Sequence, residues 1–291
     1  MHLPPLIVAA AFAQPPLQPS TALTPPPPVR WELSWSDEFA GDSLNRSVWN
    51  VRTNESHCCP KELELYVPEA VSVAGGQLVI RTQSRTLQGP DGKYNYSSGW
   101  IDTQHRWAQR LGRFEANMSL PTRAATGVWP AFWLMPGNQT SAPTCWPTGG
   151  EVDVMEMNGD PLQDEVFGSY HWGLPGKCGK DKEPIPGAGW RPKGSGSDWQ
   201  TGWHLYVVEW RAERLDFFVD GELYLTRTQG QRGLLLPTHP MYVIFDQAVD
   251  GWLFRPPKVP PKAYSGDGVA LRVEYVRAYA AQSDDRIIVN E

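Results

Sequence analysis

Long apolar runs are missing from this chain. Nothing after residue 13 approaches the ~18 consecutive apolar residues of a membrane-spanning helix, so no membrane span is expected. Blocks of basic residues are missing too: 26 Lys and Arg stand against 32 Asp and Glu, a net charge of −6, with both signs mixed along the sequence. A nucleic-acid partner calls for a basic stripe, and none is expected here. Helical periodicity of useful length is absent and no internal repeat is visible, which turns the reading toward strands. Cysteine is sparse, four in 291 residues, and the C-x2-C spacing of common zinc modules does not occur.

The chain is rich in apolar and aromatic residues. Hydrophobic residues make up 41% and aromatic residues 11%, with fourteen tryptophans. That supports a sizeable core in one large β domain, a monomer, rather than in two small domains. Leu, Ile and Val would suffice to fill a core, so some of the indoles are expected to face a ligand. Sugars offer apolar C–H faces to aromatic rings and hydroxyls to the indole N–H. A neutral polysaccharide suits this composition.

Residues 1–13 end in the apolar run LIVAAAFA, which resembles a short secretory signal with an Ala-x-Ala-like cleavage site at Ala11-Phe12-Ala13. Pro4 and Pro5 precede the run and no Lys or Arg does, so a disordered leader is the alternative. Residues 14–29 are Pro-rich and read as an extended linker. A single domain is expected over residues 30–280, with a tail at 281–291. The cysteines (Cys58, Cys59, Cys145, Cys178) and the N-x-S/T sequons at Asn45, Asn54, Asn95, Asn117 and Asn138 agree with a secreted, oxidised glycoprotein. Sequence does not choose among the disulfide pairings. Adjacent Cys58 and Cys59 are each expected to reach a distant partner, with Cys145 and Cys178 tying loops near an acidic strand.

That strand lies in residues 146–158, WPTGGEVDVMEMN. Glu151, Asp153 and Glu156 are interleaved with apolar residues, which argues for a strand with one polar and one buried face. Glu151 and Asp153 share a face, but the five-residue offset to Glu156 turns it toward the buried side, where an unpaired carboxylate is costly. A β-bulge at Val154–Met155 adds one residue and returns Glu156 to the polar face. Crowded carboxylates titrate unequally, which separates an ionised group from a protonated one. Retaining glycoside hydrolysis needs that division: one carboxylate attacks the anomeric carbon while a protonated one, ~5–5.5 Å away, donates to the leaving oxygen. A solvated acidic strand or an oxygen-ligand cation site fits the same residues.

Strand signals recur between clusters of Gly, Pro, Asn and Asp at Trp31–Phe39, Gln77–Thr82, Ser98–Thr103, Arg113–Leu120, Val128–Leu134 and Val166–Trp172. They continue at Trp203–Trp210, Leu215–Val219, Glu222–Thr226, Met241–Ala248 and Val269–Tyr279. Residues 83–96 and 173–202 read as loops, and Asp220-Gly221 as a hairpin turn. Such a pattern indicates an all-β sandwich or jelly roll.

Glu151–Glu156 is similar to the ExDxxE signature of glycoside hydrolase family 16, in the bulged form of laminarinases, the endo-1,3-β-glucanases. The segments SGWIDT (98–103), GRFEANMSLP (112–121), WPAFWLMP (129–136), GWHLYVVEW (202–210), FFVDGEL (217–223) and LRVEYVRAY (271–279) carry the same resemblance in the same order. Together they span most of residues 31–280. The resemblance implies a β-jelly-roll sandwich of two antiparallel sheets with an open substrate cleft on the concave face. It implies Glu151 as nucleophile, Glu156 as general acid and then base, and Asp153 as the nucleophile's assistant. Because a nucleophile must stay ionised, Asp153 is expected to carry or share the proton when the two interact.

Among binding residues, Trp133 and Trp146 match sugar platforms of the family and Trp252 matches a third, whereas Trp129 is left undecided between platform and core. His171 falls where the family places a histidine beside the leaving-group sugar, although a strand histidine is more often structural. Glu62 and Tyr66, in KELELY, match the family's NELQYY and help shape the glycon side. Three departures border that side: Lys61 for Asn, Trp100 for the Arg of SGRI, and FDQAVDG at 245–251 for NLAVGG. No cofactor is required. A structural calcium is often bound in the family where the first and last strands meet, and Glu38 and Glu274 are the nearest carboxylates. The expected function is a secreted, retaining endo-β-1,3-glucanase. A β-glucan transglycosylase, a mixed-linkage 1,3-1,4-glucanase and a non-catalytic glucan-binding lectin are the alternatives. Lectins of the family lack the catalytic glutamates, and both are present here.

Overall fold

A computed structural model of the chain describes residues 23–56, 62–122, 127–137, 145–157, 165–178, 187–194, 196, 199–250 and 264–282. In chain order the strands are β1 (Trp31–Asp37), β2 (Asn50–Val51), β3 (Glu55–Ser56), β4 (Glu64–Tyr66), β5 (Val71–Val73) and β6 (Leu78–Gln88). They continue with β7 (Lys93–Ser98), β8 (Trp100–Asp102), β9 (Gly112–Ser119), β10 (Val128–Pro136), β11 (Glu151–Met157) and β12 (Val166–His171). The last six are β13 (Ala188–Trp190), β14 (His204–Trp210), β15 (Arg214–Val219), β16 (Glu222–Thr228), β17 (Met241–Val249) and β18 (Val269–Ala281).

These strands make two sheets. A seven-stranded sheet runs β13-β12-β11-β10-β17-β8-β2. An eleven-stranded sheet runs β16-β15-β14-β9-β18-β6-β7-β4-β3, with β1 added to β18 and β5 to β6. Strand alternation sends one side chain in two between the sheets. Phe132, Leu134, Val152, Val154, Val243 and Phe245 meet Phe114, Ala116, Met118, Tyr206, Val208 and Leu271 there, all buried in one cluster. Each large aliphatic or aromatic side chain so buried contributes roughly 1.5–3 kcal/mol, which ties the two sheets into the jelly-roll sandwich. On its other face the smaller sheet carries a second cluster of Tyr66, Trp100, Met135, Tyr242 and Ile244, with Trp133 and Trp146 packed against it. That aromatic face is the floor of the site described below.

The structure departs from the sequence reading in several places. Residues 83–96 are a hairpin and not a loop: β6 runs on to Gln88, and Gln83 and Leu87 face Ser97 and Tyr94 of β7. Tyr94 and Tyr96 are buried while Lys93 and Asn95 are exposed, an alternation that the polar composition obscured. Residues 173–202 include β13, paired with β12, and a 3-10 turn at Trp199–Thr201. The turn at Asp220-Gly221 is as expected, with φ of 51° and 82°, both positive as a type I′ hairpin requires. The Pro-rich stretch has no regular structure over residues 23–29, and the carbonyls of Thr24 and Pro27 accept hydrogen bonds from Arg214 and Arg211.

Cys145 and Cys178 are bonded to each other. Cys145 precedes β11 and Cys178 follows β12, and the antiparallel pairing of Glu151 with His171 brings those two strand ends together. This corrects the expectation that Cys58 and Cys59 each find a distant partner, since both distant cysteines are taken. Cys58, Cys59, Lys61, Asn138, Trp252, the leader and the tail beyond residue 282 lie outside the described residues. Asn45, Asn54 and Asn95 are exposed, whereas Asn117 is half-buried and donates to Glu274 at 2.6 Å. β1 does pair with β18, but Glu38 there receives Arg277 through both carboxylate oxygens, at 2.9 and 2.8 Å. Glu38 is thus held by a guanidinium and Glu274 by an amide.

Candidate active site

β11 lies between β10 and β12, and its bulge is where the polar–apolar pattern demanded it. Asp153 faces Trp133 on one side and Ser169 on the other; Glu156 faces Ala131 and Phe167. Val154 and Met155 together stand opposite the single residue Gly168, and both enter the core. The extra residue lets Glu151, Asp153 and Glu156 all emerge on the aromatic face.

Each carboxylate has its own donor. The Trp146 indole N–H donates to Glu151 Oε2 at 2.8 Å. The Trp129 indole N–H donates to Glu156 Oε1 at 2.9 Å. Ser169 Oγ makes a short hydrogen bond to Asp153 Oδ2 and lies 3.3 Å from Glu156 Oε2, so one hydroxyl bridges two acids. His171 Nε2 is 3.3 Å from Asp153 Oδ2 and 3.8 Å from Glu151 Oε1.

Burial, then the charge of Asp153, pushes Glu156 up to about 8, against His171, Trp129 and Ser169, which hold it down. The same two causes raise Glu151, opposed by His171 and by the Trp146 hydrogen bond. Interacting acids release protons as a set. Both take an indole N–H on one oxygen; at the other, Glu151 has His171 Nε2 at 3.8 Å, where Glu156 has the Ser169 hydroxyl. A value of about 8 favours the protonated form of Glu156 near neutral pH. An ionised and a protonated carboxyl on one face can attack a carbon and protonate a leaving oxygen.

Of the residues singled out in the sequence, Trp133, Trp146 and His171 gather around the carboxylates. Trp129 is resolved as the buried donor to Glu156, not an open platform. Ser169 was missed, although alternation along β12 puts Phe167, Ser169 and His171 on one face and would have placed it beside Asp153. Glu62 and Tyr66 lie beneath the surface at 4% and 0% exposure. Tyr66 Oη and the Trp133 indole N–H both donate to Asp246, at 3.2 and 2.8 Å. Asp250 holds φ of 62° where the family motif has glycine, a conformation that Asp tolerates better than most residues.

For a metal, Glu151, Asp153 and His171 are the grouping among the described residues whose ligand atoms lie within 4.8 Å of one another.

The sequence profile of "Glycosyl hydrolases family 16" matches residues 48–253. A "Beta-glucanase" of Rhodothermus marinus is 30% identical over 263 residues, covering 86% of this chain and 85% of the relative. A "Glucan endo-1,3-beta-glucosidase A1" of Niallia circulans is 30% identical over 284 residues, 89% of this chain but 39% of that longer protein. Among solved structures, the catalytic domain of an endo-1,3-beta-glucanase (laminarinase) from Thermotoga petrophila superposes with a TM-score of 0.75 at 28% identity, over 88% of this chain and 100% of that one.

Proposed function

Because the chain belongs to glycoside hydrolase family 16 and is a glycoside hydrolase of β-glucan, we propose that it is a secreted endo-β-1,3-glucanase that cleaves laminarin-like glucan with retention. The observation that carries this reading is the bulged strand, which presents Glu151 under the Trp146 N–H and protonated Glu156 under the Trp129 N–H. Glu151 attacks the anomeric carbon and Glu156 gives its proton to the leaving oxygen. Glu156, now ionised, then takes a proton from water as that water attacks the glycosyl ester, and Glu151 leaves as a carboxylate. Asp153, fixed by Ser169 and His171, sits between the two as the nucleophile's assistant. Trp133 and Trp146 flank the carboxylates and offer rings to the sugar. The relatives named for 1,3-β-glucan support the linkage; the leader, the exposed sequons and the Cys145–Cys178 bond support secretion.

The test is release of reducing ends from laminarin by wild type and Glu151→Gln, with the products sized. Short oligosaccharides from wild type and a rate lower by on the order of 10³-fold or more in the variant are expected. Elongated products with little net release would indicate transglycosylation. Binding of laminarin by a wild type that makes no product would sink the hydrolase reading.

A further inference from the structure

Trp100 occupies the position where the family's SGRI motif has arginine, and its surroundings explain what took the arginine's place. The indole is only 2% exposed, wedged edge-on between Trp133 and Tyr66 at ring separations of 5.2 and 5.5 Å. No sugar can stack on it, because the Arg52 guanidinium lies 3.6 Å from its ring centre and covers the open face. The backbone N–H of Arg52 donates to the Trp100 carbonyl at 3.1 Å, which fixes the root of the side chain. A guanidinium seated on an aromatic face keeps its N–H edges free for hydrogen bonds.

Beside this pair lies a pocket of about 480 Å³ lined by Asn50, Arg52, Glu55, Asp102, His105 and Arg106, among others. Asp102 is already occupied: it accepts from the Trp100 indole at 2.9 Å, from Asn50 at 2.8 Å and from the Gln104 backbone at 3.0 Å. Arg52 is held loosely by Glu55, at 3.7 Å. Two carboxylates beside two guanidiniums would oppose a bound anion, whereas the mixture of donors and acceptors suits hydroxyl groups. Trp100 lies three strand steps from Glu156, level with it through Asp246 and Ala131, ~14 Å at the usual spacing, and farther still from Glu151, so this pocket meets a sugar unit removed from the one being cleaved.

We infer that Arg52, seated on Trp100, is a specificity-determining residue at the β2–β8 end of the cleft and that its pocket takes the hydroxyls of a neutral glucosyl unit distant from the scissile bond. This rests on the endo-1,3-glucanase reading. The guanidinium that the family motif supplies from one strand is supplied here from the end of β2.

The test is kcat/KM for wild type, Arg52→Ala and Arg52→Lys on laminari-oligosaccharides from the trimer to the heptamer. Losing a charged donor to sugar hydroxyls should lower kcat/KM of Arg52→Ala about tenfold on the heptamer, through KM, with a smaller loss at each shorter length. Arg52→Lys should recover part of it. Titrating the heptamer into Glu151→Gln with and without Arg52→Ala should give the same loss without turnover. Should Arg52→Ala lose its native melting transition, Arg52→Gln replaces it. An equal loss at every length, or none at any, overturns the assignment while leaving the hydrolase reading intact. A wild-type preference for sulfated or carboxylated glucan that Arg52→Ala abolishes overturns it as well. A wild type inert toward every laminari-oligosaccharide removes the endo-1,3-glucanase reading, and this inference with it.

Discussion

Two groups of carboxylates sit on the aromatic side of the smaller sheet, and burial raises acids in both. On β11 are Glu151, Asp153 and Glu156; toward the other end are Glu62, Glu64, Asp246 and Asp250. Glu64 is raised well above its ordinary value by burial, then by Glu62, and Asp246 is pushed up to about 7 by burial. A raised pKa therefore does not distinguish the two groups. Their partners do. Glu64 is wholly buried and spends one oxygen on the backbone N–H of Val249 at 2.7 Å. Asp246 is spent on Trp133 and Tyr66. The β11 acids also have donors, but Glu151 and Glu156 stay partly open to the cleft, where a held proton has a path to a bound ligand. In the proposed mechanism the first cluster transfers protons, and the other locks the floor on which Arg52 and Trp133 stand.

The contrast breaks first at Glu156. If it is the acid, Glu156→Gln should lower kcat on laminarin on the order of 10³-fold with little change in binding. The pH profile sharpens the test. Glu156 acts protonated and its folded value is about 8, so wild-type activity should fall as pH rises through about 8. The residual rate of Glu156→Gln should show no such limb. A limb at 8 that survives the substitution would move the acid elsewhere.

A smaller effect is expected at Trp129. Its N–H bonds the Glu156 carboxyl and holds it down. Trp129→Phe keeps the ring and removes the donor, so the alkaline limb should move up by up to about one unit, with kcat down roughly tenfold. An unmoved limb would return Trp129 to the core. Ser169→Ala removes the other donor and should move the limb in the same direction by less, since its 3.3 Å contact with Glu156 is the longer one. The two variants separate the contribution of each donor to the acid.

The same contrast explains how far the sequence could be read. The β11 trio was legible because alternation fixes which residues share a face, and the conflict at Glu156 has one local solution, a bulge at Val154–Met155. The second cluster was not, because Glu64 lies on β4 of the larger sheet and Asp246 on β17 of the smaller, and they meet only where β4 packs onto the end of β17. The hairpin over residues 83–96 was lost to composition, since its inward tyrosines sit among Lys, Asn and Ser. Arg52 was invisible for a similar reason: the departure at Trp100 was plain, but only the pairing of β2 with β8 puts the two side chains together.

The weakest expected effect is on stability, and it comes from the cluster without chemistry. Asp246 ordinarily titrates at 3.8 and is pushed up to about 7 here, so the folded chain binds its proton more tightly than the unfolded chain. Its contribution is full below about 3.8, is lost progressively as pH rises toward 7, and is constant above. Asp246→Asn removes the ionisable group while keeping an oxygen for the Trp133 N–H and turning an amide N–H toward Tyr66 Oη, which can accept it. Each pKa unit corresponds to ~1.4 kcal/mol, so three units set a ceiling of about 4 kcal/mol. Relaxation around the ionised group lowers this. At pH 8 the variant should melt roughly 2–6 °C above wild type, and at pH 4 within about 1 °C. The alkaline limb of activity should stay where Glu156 sets it. If Asp246→Asn moved that limb and left the melting temperature alone, the two clusters would be one proton-transfer network, and the division between chemistry and support would fail.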